Sequence, residues 1–89
     1  MTRIEKIRAA LEQALQPVRI EIDDESHLHA GHTGALTGRG HYKVLIVASA
    51  FQNLGAAQRH RAVYAALGSL MQSDIHAISI RALAPTEST

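Results

Sequence analysis

Eighty-nine residues and 9.6 kDa, with 46% apolar and 19% charged side chains, suffice for one small globular domain around a thin core. Nine Lys and Arg against eight Asp and Glu leave a formal charge of +1, which excludes a nucleic-acid module driven by bulk charge. The absence of cysteine excludes a disulfide framework, a thiol nucleophile and a thiolate metal site built from this chain alone.

The first predicted element is an amphipathic helix. Ile4, Ile7, Leu11, Ala14 and Leu15 form one stripe at helical period. Thr2 and Glu5 have capping-box spacing, and Gln16-Pro17 marks the end. Arg3, Lys6, Arg8 and Glu12 belong to a solvated face. Val18, Ile20 and Ile22 then alternate with Arg19, Glu21 and Asp23, the pattern of a half-buried strand.

From Asp24 to Gly40 there is no period, and four of the six glycines fall there. So long a loop in so small a domain is expected to be functional or mobile. Asp23, Asp24 and Glu25 read as the solvated turn that begins it, bent by Ser26. Tyr42 to Ala48 is a Val- and Ile-rich strand, covered on one face and partly on the other. After a turn at Phe51 to Gly55, a helix is expected from Ala56 to about Gln72, with Val63, Leu67, Leu70 and Met71 inward. Gly68 within it is expected to permit close packing on the sheet.

Ser73-Asp74 ends that helix, Ile75 to Leu83 forms the last strand, and Ala84-Pro85 ends ordered structure. The expectation is a single domain over 1–85 and a disordered tail over 86–89. A strand-helix-strand unit requires its strands to be parallel with a right-handed crossover. The first two strands, joined without a helix, should be antiparallel. The fold class is therefore α/β: a small α-β-β-α-β sandwich with a three-stranded mixed sheet. No apolar run approaches the roughly 18–20 residues of a membrane span, and Met1 to Lys6 has no signal-peptide core, so a soluble cytoplasmic protein is expected.

Six histidines are an unusual number for this length, and His27, His29, His32 and His41 cluster within fifteen positions. Histidine is the commonest metal ligand, and its pKa lies near neutrality. Pairs such as His29 and His32 can chelate a divalent metal unaided. No phosphate loop, nucleophile elbow or supported Ser/His/Asp arrangement is present, so no enzyme is expected.

Several fragments, in order, resemble the BolA family. They are Asp24-Glu25-Ser26, the His- and Gly-bearing loop, His41-Tyr42-Lys43-Val44, Phe51, Arg59-His60-Arg61-Ala62-Val63-Tyr64 and Ile75-His76-Ala77-Ile78. The resemblance runs from about Ile4 to Pro85. It implies a type II KH-like fold and partnership with a monothiol glutaredoxin, bridged by a [2Fe-2S] cluster that glutathione also ligates. In that arrangement His76 is the C-terminal ligand. The second ligand comes from the loop, with His29 the leading candidate, then His41, then His32; His27 has the least support. Some relatives carry a loop cysteine; this sequence, lacking one, resembles the all-histidine type. The family's roles in iron homeostasis, stress response and transcriptional regulation follow as expectations.

Three departures accompany the resemblance. Asn53 stands where the family usually has glycine, Ile78 stands for leucine, and a further C-terminal helix with a Trp is expected to be missing. Imidazole in place of thiolate raises a cluster's potential and makes its binding pH-dependent.

Arg59, His60 and Arg61 are the candidate contacts to a partner or to nucleic acid. In the family their segment resembles the second helix of a helix-turn-helix, which supports an alternative reading as a DNA-binding transcriptional regulator. Successive helical residues diverge by about 100°, so the two arginines do not line one stripe. The Gly-x-x-Gly loop of single-strand-binding KH domains is absent. Exposed strand edges leave a weak homodimer open, and a self-associating domain with a zinc-binding loop is the third reading.

Overall fold

The computed structural model describes residues 1–26 and 40–88. Helix α1 spans Arg3–Leu15 and begins as its capping box predicts: Glu5 N–H donates to Thr2 Oγ1 at 3.1 Å, and Thr2 N–H donates to the Glu5 carboxylate at 2.8 Å. Ile7 and Leu11 are buried and Ile4 and Leu15 half-buried, whereas Ala14 stays exposed. The chain then passes through Gln16, in the left-handed region at φ 48°, into β1 (Arg19–Asp24). Val18, expected to face inward, precedes the first laddered residue and is 72% exposed.

Strand β2 (Gly40–Val47) is central. It pairs antiparallel with β1, Ile22 opposite Val44, and parallel with β3 (Ile75–Leu83), Val44 opposite Ile80. This is the expected mixed sheet. Tyr42, Val44 and Ile46 on β2 join Ile20 and Ile22 of β1 and Ile78, Ile80 and Ala82 of β3 on one face. Both long helices pack there, through Ile7 and Leu11 of α1 and Val63 and Leu67 of α2 (Ala56–Leu67). On the other face Glu21, Asp23, Lys43, Ser79 and Arg81 are exposed and Leu45 is half-buried, whereas Val47 at its far end is buried.

The expected helix over 56–72 is two helices. α2 stops at Leu67, and a single turn, α3 (Leu70–Ser73), follows. Gly68 is the cause, by its conformation rather than by close packing. It is exposed, its φ is +53°, and a Cβ there would meet nothing nearer than Ala65 O at 3.9 Å. An L-residue resists that conformation, so glycine ends the helix.

Gly40 is different, because there close approach is the reason. A Cβ on it would lie 2.5 Å from Tyr42 Oη and 2.7 Å from Cε2 and Cζ of the same ring. Tyr42 is only 3% exposed and has little room to withdraw. Gly40→Ala is therefore expected to destabilise the fold by about 1–3 kcal/mol through overpacking. A urea melt reads this as a lowered midpoint at unchanged slope; an unshifted midpoint would contradict it.

The polar face of α1 is more than solvated. Asp74, 7% exposed, receives Lys6 Nζ at 3.3 Å and lies 3.7 Å from Arg3 Nε. The Ser73 hydroxyl foremost, then Lys6 and Arg3, hold its carboxyl below the ordinary carboxylate range against the opposing effect of burial. This cluster fastens α1 to the turn that launches β3. Its partners lie 68 and 71 residues away in sequence, so no local pattern announces it.

Candidate metal-ligand site

The register of β2 and β3 slips once, at the start of the parallel ladder. Gly40 stands opposite Ile75, but His41 stands opposite Ala77, so β3 carries one extra residue there, His76. Simple alternation groups His76 with Ile78 and Ile80 on the apolar face. The bulge breaks that parity: Ile75 is fully buried three residues before half-buried Ile78, and His76 is exposed. His76 instead meets His41, with ring centroids 5.0 Å apart and planes tilted by 49°.

Local hydrogen bonds fix His41. Asp24 Oδ1 accepts from Ser26 N–H at 2.9 Å, Ser26 Oγ accepts from His41 N–H at 3.1 Å, and Glu25 N–H donates to His41 O at 2.8 Å. The acidic cluster, expected as a solvated turn, is instead largely strand: Asp23 and Asp24 pair with Lys43 and Tyr42, and the bend comes only at Ser26. That bend ties the end of β1 to the start of β2 and sets the His41 backbone beside the bulge. Half-buried His41, whose Nε2 is shielded from solvent, lines a groove of about 210 Å³ with Glu25, Tyr42, Ala77, Ile78 and Ser79.

His41 and His76 are the sequence candidates that the fold brings together. His27, His29 and His32 lie outside the described residues. Among the described residues no group of three or more His, Cys, Asp or Glu could hold a metal ion. Two imidazoles supply half of a tetrahedral donor set. The donor chemistry therefore fits a metal group shared with other ligands, and a bridging cluster held largely from elsewhere meets that condition.

Arg59, His60 and Arg61 lie on α2, in the helical layer and away from the sheet face that carries the histidine pair. His60 and Arg61 are exposed. Arg59 serves the fold: its side chain is 13% exposed, Nε donates to Leu54 O at 2.9 Å and Nη1 to Ala82 O at 3.0 Å. Its Nη1 and Nη2 also grip the two Glu87 carboxylate oxygens at 2.6 and 3.1 Å. With these bonds made, Arg59 has little left for an outside partner.

The same contact involves the segment expected as a disordered tail over 86–89. Pro85–Glu87 form a 3₁₀ turn, and Ala84 N–H donates to Glu87 Oε1 at 2.8 Å. Thr89 lies outside the described residues. Proline one residue and glutamate three residues after Ala84 is a helix-start spacing, and it was the available clue.

The Arg59 hydrogen bonds, helped by the Ala84 N–H, pull the Glu87 carboxyl from its ordinary 4.5 down to about 2. A folded-state pKa below the unfolded one means that the stabilisation is whole above pH 4.5 and is lost as pH falls through about 2. In a carbon-detected NMR titration the Glu87 carboxyl should titrate near 2, and in Arg59→Ala it should return toward its ordinary value. An unmoved midpoint would refute the clamp.

The family profile described as BolA-like protein matches residues 11–87. The chain belongs to the BolA family. It is 39% identical to SufE-like protein 1, chloroplastic/mitochondrial, of Arabidopsis thaliana over 92% of this chain, although it spans only 24% of that protein. It is 32% identical to the DNA-binding transcriptional regulator BolA of Haemophilus influenzae, covering 91% of this chain and 76% of the relative. The solved BolA domain of SufE1 from Arabidopsis thaliana superposes with a TM-score of 0.86 at 40% identity, covering 98% of this chain and 96% of that one. The BolA fold is therefore common ground, and the expected small α/β architecture stands with it. No helix among the described residues is long and apolar enough to cross a membrane.

Proposed function

We propose that this BolA-like chain is a non-enzymatic adaptor that partners a monothiol glutaredoxin and co-ligates a bridging [2Fe-2S] cluster in iron–sulfur trafficking and iron homeostasis. The observation that carries the reading is the pairing of exposed His76 with His41 on the sheet face opposite the helices, in a chain without a thiol. His76 is the first ligand. The second imidazole is His29, His41 or His32. The glutaredoxin cysteine and glutathione hold the other side.

A cluster supplies one-electron redox chemistry and can be passed on; imidazole ligation alters its potential and lability. This chain's part is to present neutral imidazoles, fix their geometry through the β3 bulge and the Ser26 turn, and shield one side of the group. Titrating the protein into cluster-loaded monothiol glutaredoxin should change the visible absorption and circular dichroism, saturating at one-to-one. An unchanged spectrum would refute the proposal.

The exposed His60 and Arg61, with the name carried by the Haemophilus influenzae relative, favour a second reading as a DNA-binding regulator. It predicts promoter binding that weakens with salt, and Arg61→Ala lowering the salt slope by about one. Salt-independent or absent binding in fluorescence anisotropy would remove it.

A further inference from the structure

We infer that the exposed part of the sheet face opposite the helices is the docking surface for the thiolate-bearing protein that completes the histidine site, and that Lys43 and Arg81 receive carboxylates of that partner. This rests on the adaptor reading and adds to it the surface and its chemistry.

The face begins at the site itself. His41 and Ala77 form one row across β2 and β3; Asp23, Lys43 and Ser79 form the next; Glu21, Leu45 and Arg81 form the third. Residues two apart on a strand share a face and lie about 6.6 Å apart. Lys43 is therefore one row from the ligand pair, and Arg81 two. The groove at His41 and a second one, of about 210 Å³ over Lys43, Leu45, Ser79 and Arg81, meet at Ser79. A protein that brings further ligands to His76 along this face meets Lys43 and Arg81 next.

Charge selects the partner. Glu21 is engaged by Arg19 of its own strand, through both Nε and Nη2. Lys43 and Arg81 are exposed and make no salt bridge among the described residues. With half-buried Leu45 between them, they offer an apolar floor flanked by two cations, beside exposed Asp23. That suits a surface carrying carboxylates opposite the cations and a base opposite Asp23. The α2 candidates sit in the other layer, and Arg59 is already bound to Glu87.

The test is calorimetry of this 89-residue chain against cluster-free monothiol glutaredoxin, so that affinity is read without the metal group. Lys43→Glu and Arg81→Glu should each weaken binding about tenfold, and wild-type affinity should fall with added salt. Arg61→Glu should bind as wild type. Far-UV circular dichroism and melting of each variant confirm the fold, which exposed positions should leave intact. Wild-type affinity in both Lys43→Glu and Arg81→Glu, or a loss confined to Arg61→Glu, would overturn the docking face. If the loaded partner still gives the His76-dependent spectrum in that case, the adaptor reading survives. Wild-type protein that neither binds nor perturbs the spectrum overturns both.

Discussion

His76→Ala is expected to abolish the spectrum of the mixed cluster while leaving the fold intact. The side chain is exposed on a bulge and makes no hydrogen bond among the described residues, so its removal should change stability by no more than about 0.5 kcal/mol. The metal group, in contrast, loses the exposed imidazole of the His41–His76 pair. Thermal melting and the visible titration, run on the same preparation, separate the two effects. A folded His76→Ala that still yields the wild-type spectrum would remove the assignment. His41→Ala, measured beside it, sorts the second ligand: equal loss gives that role to His41, and retention gives it to a loop histidine.

The largest stability effect should come from Phe51→Ala. Phe51 is the chain's only phenylalanine, is 0% exposed, and sits in the short 3₁₀ turn Ser49–Phe51 after β2. It belongs to one cluster with Ile7, Leu11, Ile46 and Val63, so both long helices meet the sheet through the same core. Truncating a buried phenylalanine costs about 3–5 kcal/mol, the lost burial plus the cavity left behind. Domains of this class have only about 5–15 kcal/mol in total. Chemical denaturation should show Phe51→Ala largely stripped of its folded baseline. A midpoint within error of wild type would mean that the turn is peripheral to the core.

Legibility followed the range of the interactions. The capping box at Thr2 and Glu5, the stripe of Ile7 and Leu11, and the alternation in β1 are local, and local patterning reports them. The antiparallel and parallel pairings followed from which strands a helix separates. Three features had weaker footprints. Gly68 read as a packing residue, because sequence does not display the sign of φ. The Arg59–Glu87 clamp joins residues 28 apart, so the engagement of Arg59 leaves no local pattern. The bulge at His76 is a register event between strands, invisible to any single strand's alternation. That last feature matters most for the site, since it turns a half-buried core histidine into an exposed ligand candidate. The motif Ile75-His76-Ala77 singles out His76 through family resemblance, and the bulge supplies the physical reason that its side chain is exposed.

In the proposed complex an imidazole of this chain binds the shared iron–sulfur cluster. The most direct test is pulsed electron paramagnetic resonance of the reduced complex, with ¹⁵N-histidine incorporated into this chain alone and an unlabelled glutaredoxin. A ¹⁵N hyperfine coupling of metal-bound imidazole, present in the wild type and absent in His76→Ala, is the predicted result. A cluster spectrum showing no ¹⁵N coupling from this chain would contradict that ligation.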